Sequence, residues 1–198
     1  MLALLPGWLD PEQIIEQGGL WLVAAIVFAE SGLLIGFFLP GDSLLFITGF
    51  LTSKPDDLPH VNQPLPLVLV VLFLAAVAGD QVGYLFGRKV GPTLFDRPKS
   101  RFFNPANVTK AHDFLERHGS KTIVLARFVP IVRTFAPIVA GVGQMKYRTF
   151  VTFNVVGGLM WAVGVTTLGY FLGQVDIVRD HVELAAIAIA AVPLPPTA

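Results

Sequence analysis

An all-α integral membrane protein is the fold class this sequence predicts: an inverted repeat of two re-entrant helical hairpins, each followed by a transmembrane helix, plus a cytoplasmic amphipathic helix and a short C-terminal helix. Three observations predict it. Of the 198 residues, 54% are hydrophobic and only 14% charged, whereas an average soluble domain carries about 25% charged residues. The apolar residues gather into long runs that are interrupted by prolines. Two distant runs close on matching segments, Gly83-Tyr84-Leu85-Phe86-Gly87 and Gly169-Tyr170-Phe171-Leu172-Gly173. A mean hydropathy of +0.66 agrees, because a water-facing surface needs more polar cover than this.

The chain reads as a single membrane domain in five stretches. Residues 1–19 form an N-terminal interfacial segment with Asp10, Glu12 and Glu16, and Pro11 opens a helical turn. The first basic residue is Lys54, so the start lacks the positive region of a signal peptide. Residues 20–87 form the first repeat. Its apolar run 20–39 is long enough to span a bilayer at about 20 residues, carries Glu30 in its middle, and ends at Leu39-Pro40-Gly41-Asp42. A shorter run, 43–52, completes the hairpin. A loop with four prolines, 53–66, leads to the run 67–87, near whose end stand Asp80 and Gln81.

Residues 88–121 form the cytoplasmic amphipathic linker and hold eight of the fourteen lysines and arginines. Asn104-Pro105 reads as a helix start and Gly119 as its stop. Between them Val108, Ala111, Phe114 and Leu115 share one face, the pattern of a helix lying on a membrane surface. Residues 122–175 form the second repeat. The run 122–145 contains Arg127, Pro130, Arg133 and Pro137, and the run 149–175 carries no charge. Residues 176–198 hold a short C-terminal helix followed by prolines.

Cytoplasmic loops are enriched in Lys and Arg, which places 88–121 inside and the loop 53–66 outside. Lys146 and Arg148 are also cytoplasmic if 122–145 dips into the bilayer and returns. Prolines bend or break helices, so Pro40-Gly41 in the first hairpin, and Pro130 and Pro137 in the second, are the expected breaks. An odd number of crossings separates the two hairpins, so the halves are inverted. Inverted repeats with discontinuous helices are typical of secondary transporters.

Charges within apolar runs are costly and usually face a cavity or a partner. Glu30 is the first candidate, as a protonatable group in a central cavity or as one half of a structural salt bridge to Arg127 or Arg133. Asp42 fits a helix N-cap and equally a carboxylate that takes and releases protons. Arg127 and Arg133 stay charged at any relevant pH and suit the forked recognition of a phosphate. Two acids and two bases fit mutual neutralisation as well as they fit a proton-controlled lipid-phosphate site. Asp80 suits a structural role near the end of its span.

Several classes are excluded. Without cysteine there is neither a disulfide framework nor a thiolate metal site. The spacing of His60, His112, His118 and His181 suggests no zinc site, so no metal and no cofactor is expected. Zero net charge argues against nucleic acid as a partner. No nucleophile with a base partner is visible, so the chain is not expected to be an enzyme. The expected partners are membrane lipids, among them a lipid-carrier phosphate or a phospholipid, and protons.

These residues resemble the DedA family, also described by its VTT (SNARE-associated) domain. The resemblance is carried by Phe28-Ala29-Glu30-Ser31-Gly32 through Leu39-Pro40-Gly41-Asp42, by Gly79-Asp80-Gln81-Val82-Gly83-Tyr84, and by Ala126-Arg127-Phe128-Val129-Pro130-Ile131-Val132-Arg133-Thr134. Asn154, Gly158 and Trp161 continue it. It implies a multi-pass protein of the bacterial inner membrane that returns undecaprenyl phosphate, or another polyprenyl phosphate, across the membrane for envelope synthesis, dependent on the proton gradient. It implies further that the functional acids and arginines are Glu30, Asp42, Arg127 and Arg133. A non-selective phospholipid scramblase and a proton-coupled exporter of small cations or drugs are the competing readings.

Overall fold

The structure is a computed structural model that describes residues 11–32, 41–53, 61–95 and 130–175. These residues form helices and turns, with no strand among them. The elements in chain order are α1 (Pro11–Gly32), α2 (Gly41–Thr52), α3 (Leu65–Phe95), α4 (Pro130–Val142), α5 (Tyr147–Gly158), a π turn (Leu159–Val163) and α6 (Gly164–Leu172). The amphipathic helix expected over 104–119 and the C-terminal helix lie outside the described residues, as do Pro40 and Arg127.

Among the described residues, two helices are long and apolar enough to cross a membrane, Leu65–Val90 and the continuous helix Tyr147–Leu172, each 26 residues. At 1.5 Å per residue each runs about 39 Å, which exceeds the ~30 Å hydrocarbon core. The other apolar helices are short. Among the described residues α2 has 12 and α4 has 13, lengths of about 18 and 20 Å. α1 is bent at Gly19, whose φ of 57° and ψ of −156° only glycine tolerates. The bend falls where the interfacial segment was expected to meet the first apolar run.

Two expectations are corrected. A break was expected at Pro137, but α4 runs unbroken from Pro130 to Val142 with Pro137 inside it. A proline has no N–H for the carbonyl four residues back, yet such a residue is tolerated in membrane helices whose neighbours cover the bend. Here the buried Pro137 ring lies where the absent side chain of Gly83 leaves space, its Cβ 3.4 Å from where a Gly83 Cβ would stand. The span expected to end near 87 continues to Phe95. Arg88 and Lys89 are exposed and helix-compatible, so the boundary of charge is not a boundary of helix.

The described chain divides into two compact units that interleave along the sequence. The first unit takes 11–27, 41–53, 61–76 and 159–175. Its core joins Leu20, Val23 and Val27 of α1 to Leu44, Phe46 and Phe50 of α2, to Val68 and Leu72 of α3, and to Trp161. The second takes 28–32, 77–95 and 130–158, around a small core of Tyr84, Ala140 and Phe150. Both units use one packing device. In the first, Gly169 meets the Phe46 carbonyl of α2, Gly173 approaches Phe50 and Ser53, and Gly49 meets the Thr166 carbonyl. In the second, Gly87 of α3 meets the Ile138 carbonyl of α4, and Gly141 meets that of Tyr84. A Cβ at any of these glycines would strike backbone or a neighbouring side chain, so small residues are what let these helices touch.

The apolar surface lies on the other side of each long helix. Leu67, Val70, Leu74, Ala78, Val82 and Leu85 are exposed along α3 at three- and four-residue steps. Opposite them the buried face ends in Gly79, Gly83 and Gly87. Large side chains outward and glycines inward is the reverse of a soluble helix and suits a lipid surround.

Candidate functional site

Glu30 lies in the last turn of α1, just before a close crossing with α3. A Cβ on Gly32 would stand 2.6 Å from the Gly79 carbonyl oxygen. The backbones touch there, so the side chain two residues earlier is held among helices and is 3% exposed. Arg133 lies in the first turn of α4, which begins at Pro130, the favoured helix position for proline. Its Nη2 donates to Glu30 Oε1 in an ion pair whose side chains are 10% and 4% exposed. Of the two salt-bridge partners open to Glu30 in the sequence, Arg133 is thus one that the fold supplies. Arg127 lies outside the described residues. Thr134, beside Arg133, is buried too.

An ion pair this far from water is held together because either charge alone would be costly to leave there. Two chemistries follow. The carboxylate is the member that can be neutralised by a proton. The guanidinium cannot be, but it can exchange a carboxylate for a phosphate of similar fork geometry.

Asp42 belongs to the other unit. It is the second residue of α2 and accepts a 2.8 Å hydrogen bond at Oδ1 from the indole Nε1 of Trp161. Gly41, one of the expected break residues, opens α2, and Pro130 opens α4. Asp80 is buried in the second unit.

The second unit also holds polar contacts that the sequence does not announce. Asn154 is fully buried and donates from Nδ2 to the Val77 carbonyl at 3.2 Å, tying α5 to α3. The Tyr84 ring stacks on Phe150 with centroids 4.3 Å apart. Its hydroxyl donates to the Met145 carbonyl at 2.5 Å and accepts from Arg88 at 3.2 Å. That carbonyl lies in the tight turn between α4 and α5. There Gln144 takes a left-handed φ of 53°, and the Met145 N–H closes on the Ala140 carbonyl at 3.0 Å. Among the described residues, no group of three His, Cys, Asp or Glu is placed to hold a metal ion.

With this geometry in place the chain can be compared with known proteins. The sequence profile of the VTT domain matches residues 39–171. Protein DedA of Escherichia coli (strain K12) is 44% identical over 187 residues, covering 93% of this chain and 84% of that protein. This chain belongs to the DedA family. An uncharacterized membrane protein of Mycobacterium tuberculosis (strain ATCC 25618 / H37Rv) is 45% identical over 189 residues, covering 96% of this chain and 81% of the relative. The inner membrane protein YqjA of Escherichia coli (strain K12) is 35% identical over 160 residues, covering 79% and 69%. No solved structure matches the chain. Like its DedA-family relatives, it is a membrane protein. The VTT match spans Asp42, Arg127, Arg133 and the first glycine motif, ends at residue 171 inside the second, and begins after Glu30.

Proposed function

We propose that this DedA-family protein is a multi-pass transporter of the bacterial inner membrane that carries a lipid-linked phosphate, undecaprenyl or polyprenyl phosphate, across the bilayer under control of the proton gradient. It moves its substrate without chemically altering it. The observation that carries this reading is the buried Glu30–Arg133 pair. It joins a carboxylate that can accept a proton to a guanidinium suited to phosphate, and Arg133 stands near the proline that begins the described part of its helix. Protonating Glu30 would release Arg133 to the phosphate head while the polyprenyl tail stays in lipid. Arg127 and Asp42 serve the same path, the first as a second phosphate ligand and the second as a further proton-accepting carboxylate.

The matching use of Gly83–Gly87 and Gly169–Gly173 supports the inverted repeat. Short helices opening at Gly41 and Pro130 support two re-entrant hairpins entering from opposite faces.

The test is reconstitution into liposomes with measurement of undecaprenyl phosphate flipping, with and without an inward proton gradient. Flipping should respond to the gradient and fall to background in Glu30→Gln and in Arg133→Gln. Equal flipping of ordinary phospholipids, indifferent to the gradient, would replace this reading with a scramblase.

A further inference from the structure

The helix Tyr147–Leu172 buries two sets of positions. Before the π turn they are Phe150, Asn154, Gly157 and Gly158, and after it Thr166, Gly169 and Gly173. Each set keeps the three- and four-residue steps of an α-helix. Between them the chain widens into the π turn Leu159–Val163, whose buried residues are Trp161 and Ala162. Single-turn π bulges of this kind often stand at functional sites.

The residue delivered by this turn is Trp161, 5% exposed, with its indole N–H on the Asp42 carboxylate at 2.8 Å. One oxygen of this first-turn aspartate accepts from an indole 119 positions away. A leucine or phenylalanine would fill the same apolar core without needing an acceptor, whereas a buried indole N–H needs one. Asp42 is also the only charged side chain in the stretches 18–27, 41–53, 61–76 and 159–175 of its unit. The titratable groups on the elements around it are Tyr170 of α6 and, at the start of α1, Glu12 and Glu16.

We propose that Trp161 is a positioning residue for Asp42, which rests on the transport reading above: the π turn sets the indole N–H against the carboxylate and fixes the orientation in which Asp42 acts during transport. A misplacement of about 1 Å in such a group can cost about a hundredfold in rate.

The experiment uses the full chain in liposomes with undecaprenyl phosphate as probe, and adds a spectroscopic arm. Trp161→Phe keeps the ring and removes the donor. It is expected to lower flipping at least tenfold while the melting temperature in detergent stays within a few degrees. In an Asp42→Glu background, where the carboxylate is already displaced, the same replacement should cost little more. An equal fold-loss in both backgrounds, or a flipping loss that tracks a large fall in melting temperature, would overturn the assignment. For the second arm, Trp8→Phe and Trp21→Phe leave Trp161 as the sole tryptophan. Its emission should shift when undecaprenyl phosphate and the gradient are applied, and the shift should vanish in Asp42→Asn. Emission indifferent to both overturns the positioning role. A wild-type protein that flips no lipid phosphate overturns the transport reading instead, and the response of Trp161 to the gradient alone then decides whether the coupling to Asp42 stands.

Discussion

The two units share a frame and differ in chemistry. In each, a glycine pair from one half of the sequence packs against a short helix from the other half. The second unit pairs its glutamate with an arginine, and the first gives its aspartate an indole N–H. A salt bridge fixes both partners strongly, and removing either leaves an unpaired buried charge. The comparison teaches that one packing solution can carry two carboxylates held through different donors, a guanidinium in one unit and an indole N–H in the other.

The largest effect should come from breaking the ion pair on one side. Arg133→Ala is expected to destabilise the protein by about 3–5 kcal/mol, read as a lower unfolding midpoint in mild detergent. The double replacement Glu30→Leu with Arg133→Met should recover most of that stability and none of the transport. Recovery of transport as well would make the pair a structural strut.

Overpacking either glycine contact comes next. Gly169→Leu and Gly87→Leu each drive a side chain into a neighbouring backbone and should cost about 1–3 kcal/mol or more. Gly164, also helical, has nothing within 4 Å of where its Cβ would be. Gly164→Ala should therefore stabilise by up to about 1 kcal/mol. If the two kinds of glycine respond alike in thermal melts, close packing is not what unites the units.

A smaller loss is expected from Asn154→Leu, which removes the hydrogen bond to Val77. Interhelical hydrogen bonds in membranes average about 0.6 kcal/mol, so chemical unfolding should show a change of that order. The smallest effect should be Gln144→Gly, a gain of less than about 1 kcal/mol by relief of a left-handed residue. An accompanying loss of transport would give the Gln144 side chain a role of its own.

Much of the fold was legible in the sequence. Long apolar runs gave α3 and the helix Tyr147–Leu172, and the shorter run 43–52 gave α2. Glu30 stood out because a lone acid in an apolar run needs a partner, and Arg133 was one of two candidates. Less legible was what the Gly-Tyr motifs do. They read as marks of repetition, whereas in the fold they are contact surfaces. The reason is physical: a membrane helix turns its large apolar residues to lipid and its small ones to protein, so hydrophobic periodicity points away from the core. Trp161 read only as part of the family pattern, and its contact with Asp42 was hidden for the same reason. The other buried positions of its helix, among them Asn154, Gly157, Gly158, Thr166, Gly169 and Gly173, are mostly small or polar residues. Pro137 misled in the other direction, since a proline in sequence marks a weakened helix and neighbouring packing decides whether it breaks.

The interleaving of the units has a consequence for synthesis. Neither unit is complete until the second half of the chain has been made. When a ribosome has finished α3, the glycine face around Gly87 and the α2 face around Gly49 have no partner yet, because α4 and α6 are still to come. The nascent first half must therefore wait in the membrane with two open seams, shielded by lipid or by insertion factors. The Gly87 seam can close once α4 has been made, and the Gly49 seam only after α6. Stalling the ribosome between α3 and α4 should leave a product sensitive to protease, and release should render both units resistant.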